Sequence, residues 1–114
     1  MTENYLEHSD FNKYHERIRK MGLDDKEFSE PFVQKMRNRM LTSTHKYGKV
    51  KDAVGHTDFV ANIKTRLSKY EADGNTEWLI DAANFCTMEF EFPAHKHAHF
   101  RSTTSAEAPK IDKY

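Results

Sequence analysis

The chain of 114 residues has little cysteine, proline or glycine, and it carries no surplus of charge of either sign. Its single cysteine, Cys86, excludes an internal disulfide. Because Cys86 lies in an apolar segment, we expect it to be a small buried core residue. The 18 basic and 18 acidic side chains cancel, which argues against a non-specific nucleic-acid binder, whose affinity rests on surplus Lys and Arg, and equally against a highly acidic DNA mimic.

Long apolar runs are also missing. No segment approaches the ~20 apolar residues that cross a bilayer, and the opening MTENYLEHSDF is too polar for the core of a signal peptide. We therefore expect a soluble, cytoplasmic protein with no membrane association. The sequence also lacks a Gly-rich phosphate loop, a G-x-S-x-G elbow and a CxxC pair, so these catalytic arrangements find no support.

What the sequence does contain is helical spacing of apolar residues in four segments, each bounded by residue types that cap helices. The predicted helices run from Ser9 or Asp10 to Gly22, from Pro31 to Gly48, from Thr57 or Asp58 to Gly74, and from Glu77 to Phe92. The predicted fold class is all-α, a small bundle of about four helices. We expect one helical domain over residues 1–93 and an extended, polar, His-containing C-terminal arm over residues 94–114.

The fourth predicted helix carries a polar stripe on an otherwise apolar surface. At 100° per residue Asp81, Asn84, Met88 and Glu91 fall within about 40° of Glu77. The Glu77 and Asp81 carboxylates repel each other unless a positive group lies between them, and Mg²⁺ is a candidate because it takes hard oxygen ligands. In the alternative interpretation the acids of the stripe are the solvent face of an amphipathic helix.

Substrate contacts can be proposed around that stripe. Asn84 could hydrogen-bond a sugar or base, Trp78 could stack on a ring, and Arg66 on the third helix could reach a phosphate. Charge is also sorted along the chain. Residues 23–30 are mainly acidic, whereas residues 35–51 hold six basic side chains, Arg39 and Lys46 among them, and no acid. Ordinary solvated side chains are the alternative interpretation for most of these residues.

Three histidines alternate after Pro93, at His95, His97 and His99. In an extended segment such residues point to one side, where three imidazoles could bind Zn²⁺ or another transition metal. The alternative is a set of surface histidines in a terminal arm.

Two segments, HKYGKV (His45 to Val50) and RLSKYEADGNTEWLIDAANFCTMEFEFP (Arg66 to Pro93), resemble a pattern in small phage and prophage proteins. More distantly, they resemble the MazG-like all-α nucleoside triphosphate pyrophosphohydrolases. That resemblance implies a helical oligomer in which acids on facing helices bind Mg²⁺ and water attacks a nucleotide phosphorus, releasing pyrophosphate. It implies that Glu77 and Asp81 are the metal ligands and catalytic residues, and that Asn84, Trp78 and Arg66 contact the substrate. If the chain is phage-encoded, the protein would act in the host cytoplasm.

The chain departs from the hydrolase pattern in its acidic residues. Glu77 and Asp81 are four apart instead of three, and the one Glu-x-x-Glu, Glu27 to Glu30, precedes Pro31. The sequence therefore supports two functions, a Mg²⁺-dependent nucleotide pyrophosphohydrolase and, alternatively, a non-catalytic phage protein that binds and inhibits a host defence-system protein. A homodimer is expected, since short helices rich in Phe and Met offer more apolar surface than a small monomer covers.

Overall fold

The computed structural model describes residues 16–17, 20 and 28–103. Residues 28–96 form one compact unit, and residues 97–103 belong to a second. The first unit contains helices α1 (Glu30–Tyr47), α2 (Phe59–Asp73) and α3 (Glu77–Glu91), with a short 3₁₀ helix at Val50–Ala53 between α1 and α2. Residues 98–103 have no helix or strand.

The all-α class is confirmed, because the described residues contain helices and no strand. The structure describes three complete helices where about four were predicted. The prediction for the segment from Ser9 to Gly22 lies outside the described residues, apart from three helical positions. No helix in the part of the chain that is described combines the length and the apolar character that a membrane crossing requires.

Local side-chain chemistry sets the helix ends. The Ser29 hydroxyl accepts a hydrogen bond from the Phe32 amide at 3.2 Å, and the Asp58 carboxylate accepts one from the Ala61 amide at 2.9 Å. Each satisfies a backbone donor that has no partner within its helix. Asp58, and not Thr57, is therefore the cap of α2. Gly74 ends α2 in the left-handed conformation, with φ of 75°, which a residue without Cβ adopts at no steric cost.

Helix α3 contacts both other helices, and its contact with α2 is the more extensive. Phe59, Ile80 and Ala82 are the buried apolar residues among those described. Phe59 also faces Phe85, with the ring centroids 6.3 Å apart. On its other side α3 meets α1, where the buried Asn84 amide donates to the Met36 carbonyl at 3.0 Å. The polar stripe thus faces a neighbouring helix.

The predicted burial of Cys86 is wrong, since its side chain is exposed. Phe90, one turn further along the same face of α3, is 72% exposed. The solvent-face interpretation of the stripe is also wrong for Asp81, whose side chain is 12% exposed, although Glu77 and Glu91 are exposed. The physical reason is that α1 and α2 pack against the other sides of α3, so helix placement decides burial more than apolar character does.

Replacing the α2 cap tests this assignment. We expect Asp58→Ala to lower the free energy of unfolding by about 1 kcal/mol, the usual cost of losing an N-terminal cap, as measured by urea denaturation followed by circular dichroism. Thr57→Ala is the matched control and should change stability by less than about 0.5 kcal/mol. Equal losses in both variants would contradict Asp58 as the cap.

Candidate functional site

The two carboxylates predicted to bind Mg²⁺ are bridged by an arginine. Arg39 projects from α1 to α3, where its Nε donates to Asp81 Oδ1 at 3.0 Å and its Nη2 donates to Asp81 Oδ2 at 3.4 Å. Its Nη1 pairs with Glu77 Oε2. The positive group between the carboxylates is therefore a guanidinium, whose planar fork of donors matches carboxylate geometry.

Arg66 approaches the same carboxylate from α2. Its Nε lies 4.0 Å from Asp81 Oδ2, beyond hydrogen-bond distance, while one Nη donates to the Asn62 side chain at 2.6 Å. The guanidinium carbon is 4.6 Å from the centroid of the Phe85 ring, a cation–π distance. Arg66, predicted as a phosphate contact, thus lies beside Asp81, and this carboxylate stands between arginines from two helices.

The Nε of Arg66 is buried and has no hydrogen-bond partner. A buried donor without an acceptor costs about 1–3 kcal/mol. The pair with Asp81 offsets part of that cost, but at 4.0 Å it supplies charge without a hydrogen bond. Arg66 is therefore the member of this cluster with unused hydrogen-bonding capacity.

Asn84 and Trp78, predicted as substrate contacts, both have partners within the protein. Asn84 is buried and its amide nitrogen is bonded to the α1 backbone at Met36. The Trp78 indole donates to Asp73 Oδ2 at 3.0 Å, and the Lys69 ammonium lies 5.3 Å from the Trp78 ring centroid. These contacts give both residues a role in holding helices together.

Two cavities flank Arg39. The larger, about 620 Å³, lies where α1 and α3 begin, and its wall includes Glu77 with apolar side chains such as Phe32 and Ile80. The smaller, about 270 Å³, lies between the second half of α1 and α3, and Asp81 and Arg66 are in its wall. The larger volume is within the range of small-molecule sites.

No group of three or more His, Cys, Asp or Glu side chains within the described residues is placed to hold a metal ion. The predicted histidine cluster is His95, His97 and His99. Residues 95–97 form a bend and a turn, and residues 98 and 99 have no helix or strand. Glu77 and Asp81 remain as a pair of acids that share Arg39.

Sequence reasoning did not predict the pairing role of Arg39. The signal that could have found it is the basic stretch of residues 35–51 set against the acidic stripe of α3. Opposite charge favours contact between two such helices, but it does not say which of several basic residues makes the contact. That choice depends on the rotation of α1 about its own axis.

No family model matches this chain, and neither does any curated protein or solved structure at a significant level.

The Asp73 carboxylate accepts two hydrogen bonds at the turn between α2 and α3. The Asn75 backbone amide donates to its carboxylate at 2.8 Å and the Trp78 indole at 3.0 Å. These two bonds, with a smaller contribution from the charge of Lys69, hold the pKa of Asp73 below its usual 3.8, against a small opposing effect of burial. The ionised Asp73 carboxylate thus stabilises the turn between α2 and α3.

The Arg39 contacts should differ in strength. In double-mutant cycles of urea denaturation with Ala substitutions, we expect Arg39 and Asp81 to couple by about 1 kcal/mol, since the carboxylate is mostly buried and bound by two donors. The matched cycle of Arg39 with Glu77 should give less than about 0.5 kcal/mol, because both side chains are about half exposed. A larger coupling for Glu77 would contradict this ranking.

The Asp73 contact predicts a pH dependence. A carboxylate whose pKa is lower in the folded state contributes stability above the unfolded pKa of about 3.8, and that contribution is lost as pH falls through the folded value. Fluorescence of Trp78, the single tryptophan, should therefore show a transition below pH 3.8. Asp73→Asn should abolish that transition and Glu71→Gln should keep it. A transition that survives in Asp73→Asn would refute the assignment.

Proposed function

We propose that this chain is a non-catalytic helical interaction protein. The observation that carries the proposal is the engagement of both candidate metal ligands, Glu77 and Asp81, by Arg39. A Mg²⁺ ion at these carboxylates would have to displace a guanidinium that already pairs with both of them, and two carboxylates without further acidic ligands hold Mg²⁺ weakly. The cluster is suited to joining α1 to α3.

The exposed apolar face of α3 supports a role in binding another protein. Phe90 is 72% exposed and Cys86, one turn before it, is exposed as well. Ala83 and Leu79, which continue this face, are half-buried. Single exposed apolar side chains are normal on a protein surface, whereas a contiguous apolar strip is a feature of interaction sites.

Given the resemblance to small phage proteins, the proposed partner is a host protein of a defence system, bound and inhibited in the host cytoplasm. A homodimer is the proposed assembly. Only three apolar side chains in residues 28–96 are buried, which is a small core for a unit of this length, and association is a common way in which such units gain burial.

A second candidate is the Mg²⁺-dependent nucleoside triphosphate pyrophosphohydrolase. The observation that favours it is the cavity of about 620 Å³ beside Glu77, which has the size of a small-molecule site. In that case Glu77 and Asp81 would hold Mg²⁺ once Arg39 moved away, and Arg66 would contact phosphate. Trp78 and Asn84 would have to leave their present partners, and further acids would have to come from a second copy.

A turnover assay separates the two candidates. We expect no pyrophosphate release above background when the purified protein is incubated with each nucleoside triphosphate and Mg²⁺ or Mn²⁺, because Arg39 holds the acids. Asp81→Ala is the matched variant, with helical content checked by circular dichroism. Release by the native chain that Asp81→Ala loses while staying helical would overturn the proposal and establish the hydrolase.

A binding measurement tests the interaction function directly. A host protein captured on the immobilised chain is purified and titrated against it. Phe90→Ser should weaken binding roughly tenfold, the effect of losing one well-packed apolar contact, while Leu67→Ser on α2, also exposed, should leave it unchanged. Labelling of Cys86, the single thiol, should slow in the complex. Equal effects of both substitutions would contradict binding through α3.

A further inference from the structure

The larger cavity, about 620 Å³ in volume, has a wall that is partly apolar and partly polar. Its apolar part includes Pro31 and Phe32 of α1 and Ile80 of α3. Ile80 is 6% exposed and Phe32 is half-buried. Apolar side chains line most small-molecule sites, where they remove the apolar part of a ligand from water. The cavity therefore suits a small molecule with an apolar body.

The charges in this wall leave one cation over. Arg39 and Glu77 are both in the wall and pair with each other, and Arg39 also pairs with Asp81. Because Arg66 lies 4.0 Å from the same Asp81 carboxylate, two arginines and two carboxylates balance each other. Among the described residues Lys35, the remaining charged side chain of the wall, has no ionic partner.

Two uncharged polar side chains of the wall have unused hydrogen-bond donors. The Asn38 side-chain oxygen accepts from Gln34 at 2.9 Å, and its amide hydrogens have no partner in the described part of the chain. Within the same part, the Thr76 hydroxyl makes no capping bond at the start of α3. Amide and hydroxyl hydrogens can both be donated to a ligand oxygen. The polar part of the wall thus offers donors and a single positive charge.

We propose that this cavity binds a small amphiphilic monocarboxylate, a molecule with one carboxylate and an apolar ring or chain. The carboxylate pairs with Lys35, and the apolar body lies against Phe32 and Ile80. One unpaired cation matches one negative charge, whereas a phosphate monoester carries about −1.5 to −2 at neutral pH and would bring the excess close to Glu77. The proposal does not depend on protein binding by the apolar face of α3.

Coverage by a second copy of the chain is the alternative explanation for the apolar part of this wall. In that case the amide resonances of Phe32 and Ile80 would change with protein concentration and would not respond to a carboxylate. That explanation also assigns no role to the charge of Lys35. The two explanations can therefore be separated by comparing a dilution series with a ligand titration.

The test is an NMR titration of the full chain at constant ionic strength with phenylacetate, an aromatic monocarboxylate, and with octanoate, an aliphatic one. We expect saturable shifts of the Phe32, Lys35 and Ile80 amides, and the tighter of the two ligands shows whether the apolar body is a ring or a chain. Lys35→Gln should weaken binding roughly tenfold, the effect of losing one charged contact. Lys35→Arg, which keeps the charge, should restore most of it. Lys46→Gln, on the same helix but in the wall of the smaller cavity, is the matched control and should bind like the native chain.

Three related compounds define the ligand class. Phenylacetamide, which has no charge, should bind the native chain and Lys35→Gln equally weakly, and acetate, which has no apolar body, should not saturate. Tighter binding of benzyl phosphate than of phenylacetate would overturn the assignment to a monocarboxylate.

The site itself would be overturned by three outcomes. These are absence of saturation with both carboxylates, equal weakening in Lys35→Gln and Lys46→Gln, and shifts that follow protein concentration alone. The last of these would assign the wall to a second copy of the chain. Circular dichroism checks that each variant is folded.

Discussion

Two carboxylates one turn apart on the same face of a helix repel each other, and in this protein Arg39 relieves that repulsion. Its guanidinium spans Glu77 and Asp81 from the neighbouring helix. Because a carboxylate as buried as Asp81 is costly without a cation beside it, the pair links the position of α1 to that of α3. The Asn84 bond to the Met36 carbonyl, one turn away, strengthens the same link.

This link determines which side of α3 faces the solvent. Asp81 and Asn84 of the polar stripe face α1, and Phe85 faces Phe59 of α2. The face with Cys86 and Phe90 is left outside. The usual arrangement of an amphipathic helix, apolar inside and polar outside, is thereby partly reversed. A surface that would otherwise be core becomes available to a partner, and this reversal underlies the proposed interaction function.

The basic residues of α1 and the acidic stripe of α3 lie apart in the sequence and meet in the structure. At Arg39 basic and acidic side chains meet and neutralise each other across α1 and α3. Arg66 of α2 lies beside the same Asp81 carboxylate at 4.0 Å, so two arginines face two carboxylates. The cluster is thus balanced in charge within itself, as the whole chain is.

The sequence by itself determined the helical class, three helix spans to within a residue or two, and the glycines that end α1 and α2, because these depend on neighbours within one turn of the chain. It also placed Glu77, Asp81 and Asn84 on one face of α3 and Arg66 near them. Only the tertiary structure decided that Arg39 pairs with both acids, that Asn84 is buried against α1 and that Cys86 is exposed. Those outcomes depend on how each helix is rotated toward its neighbours, and residues distant in sequence set that rotation together.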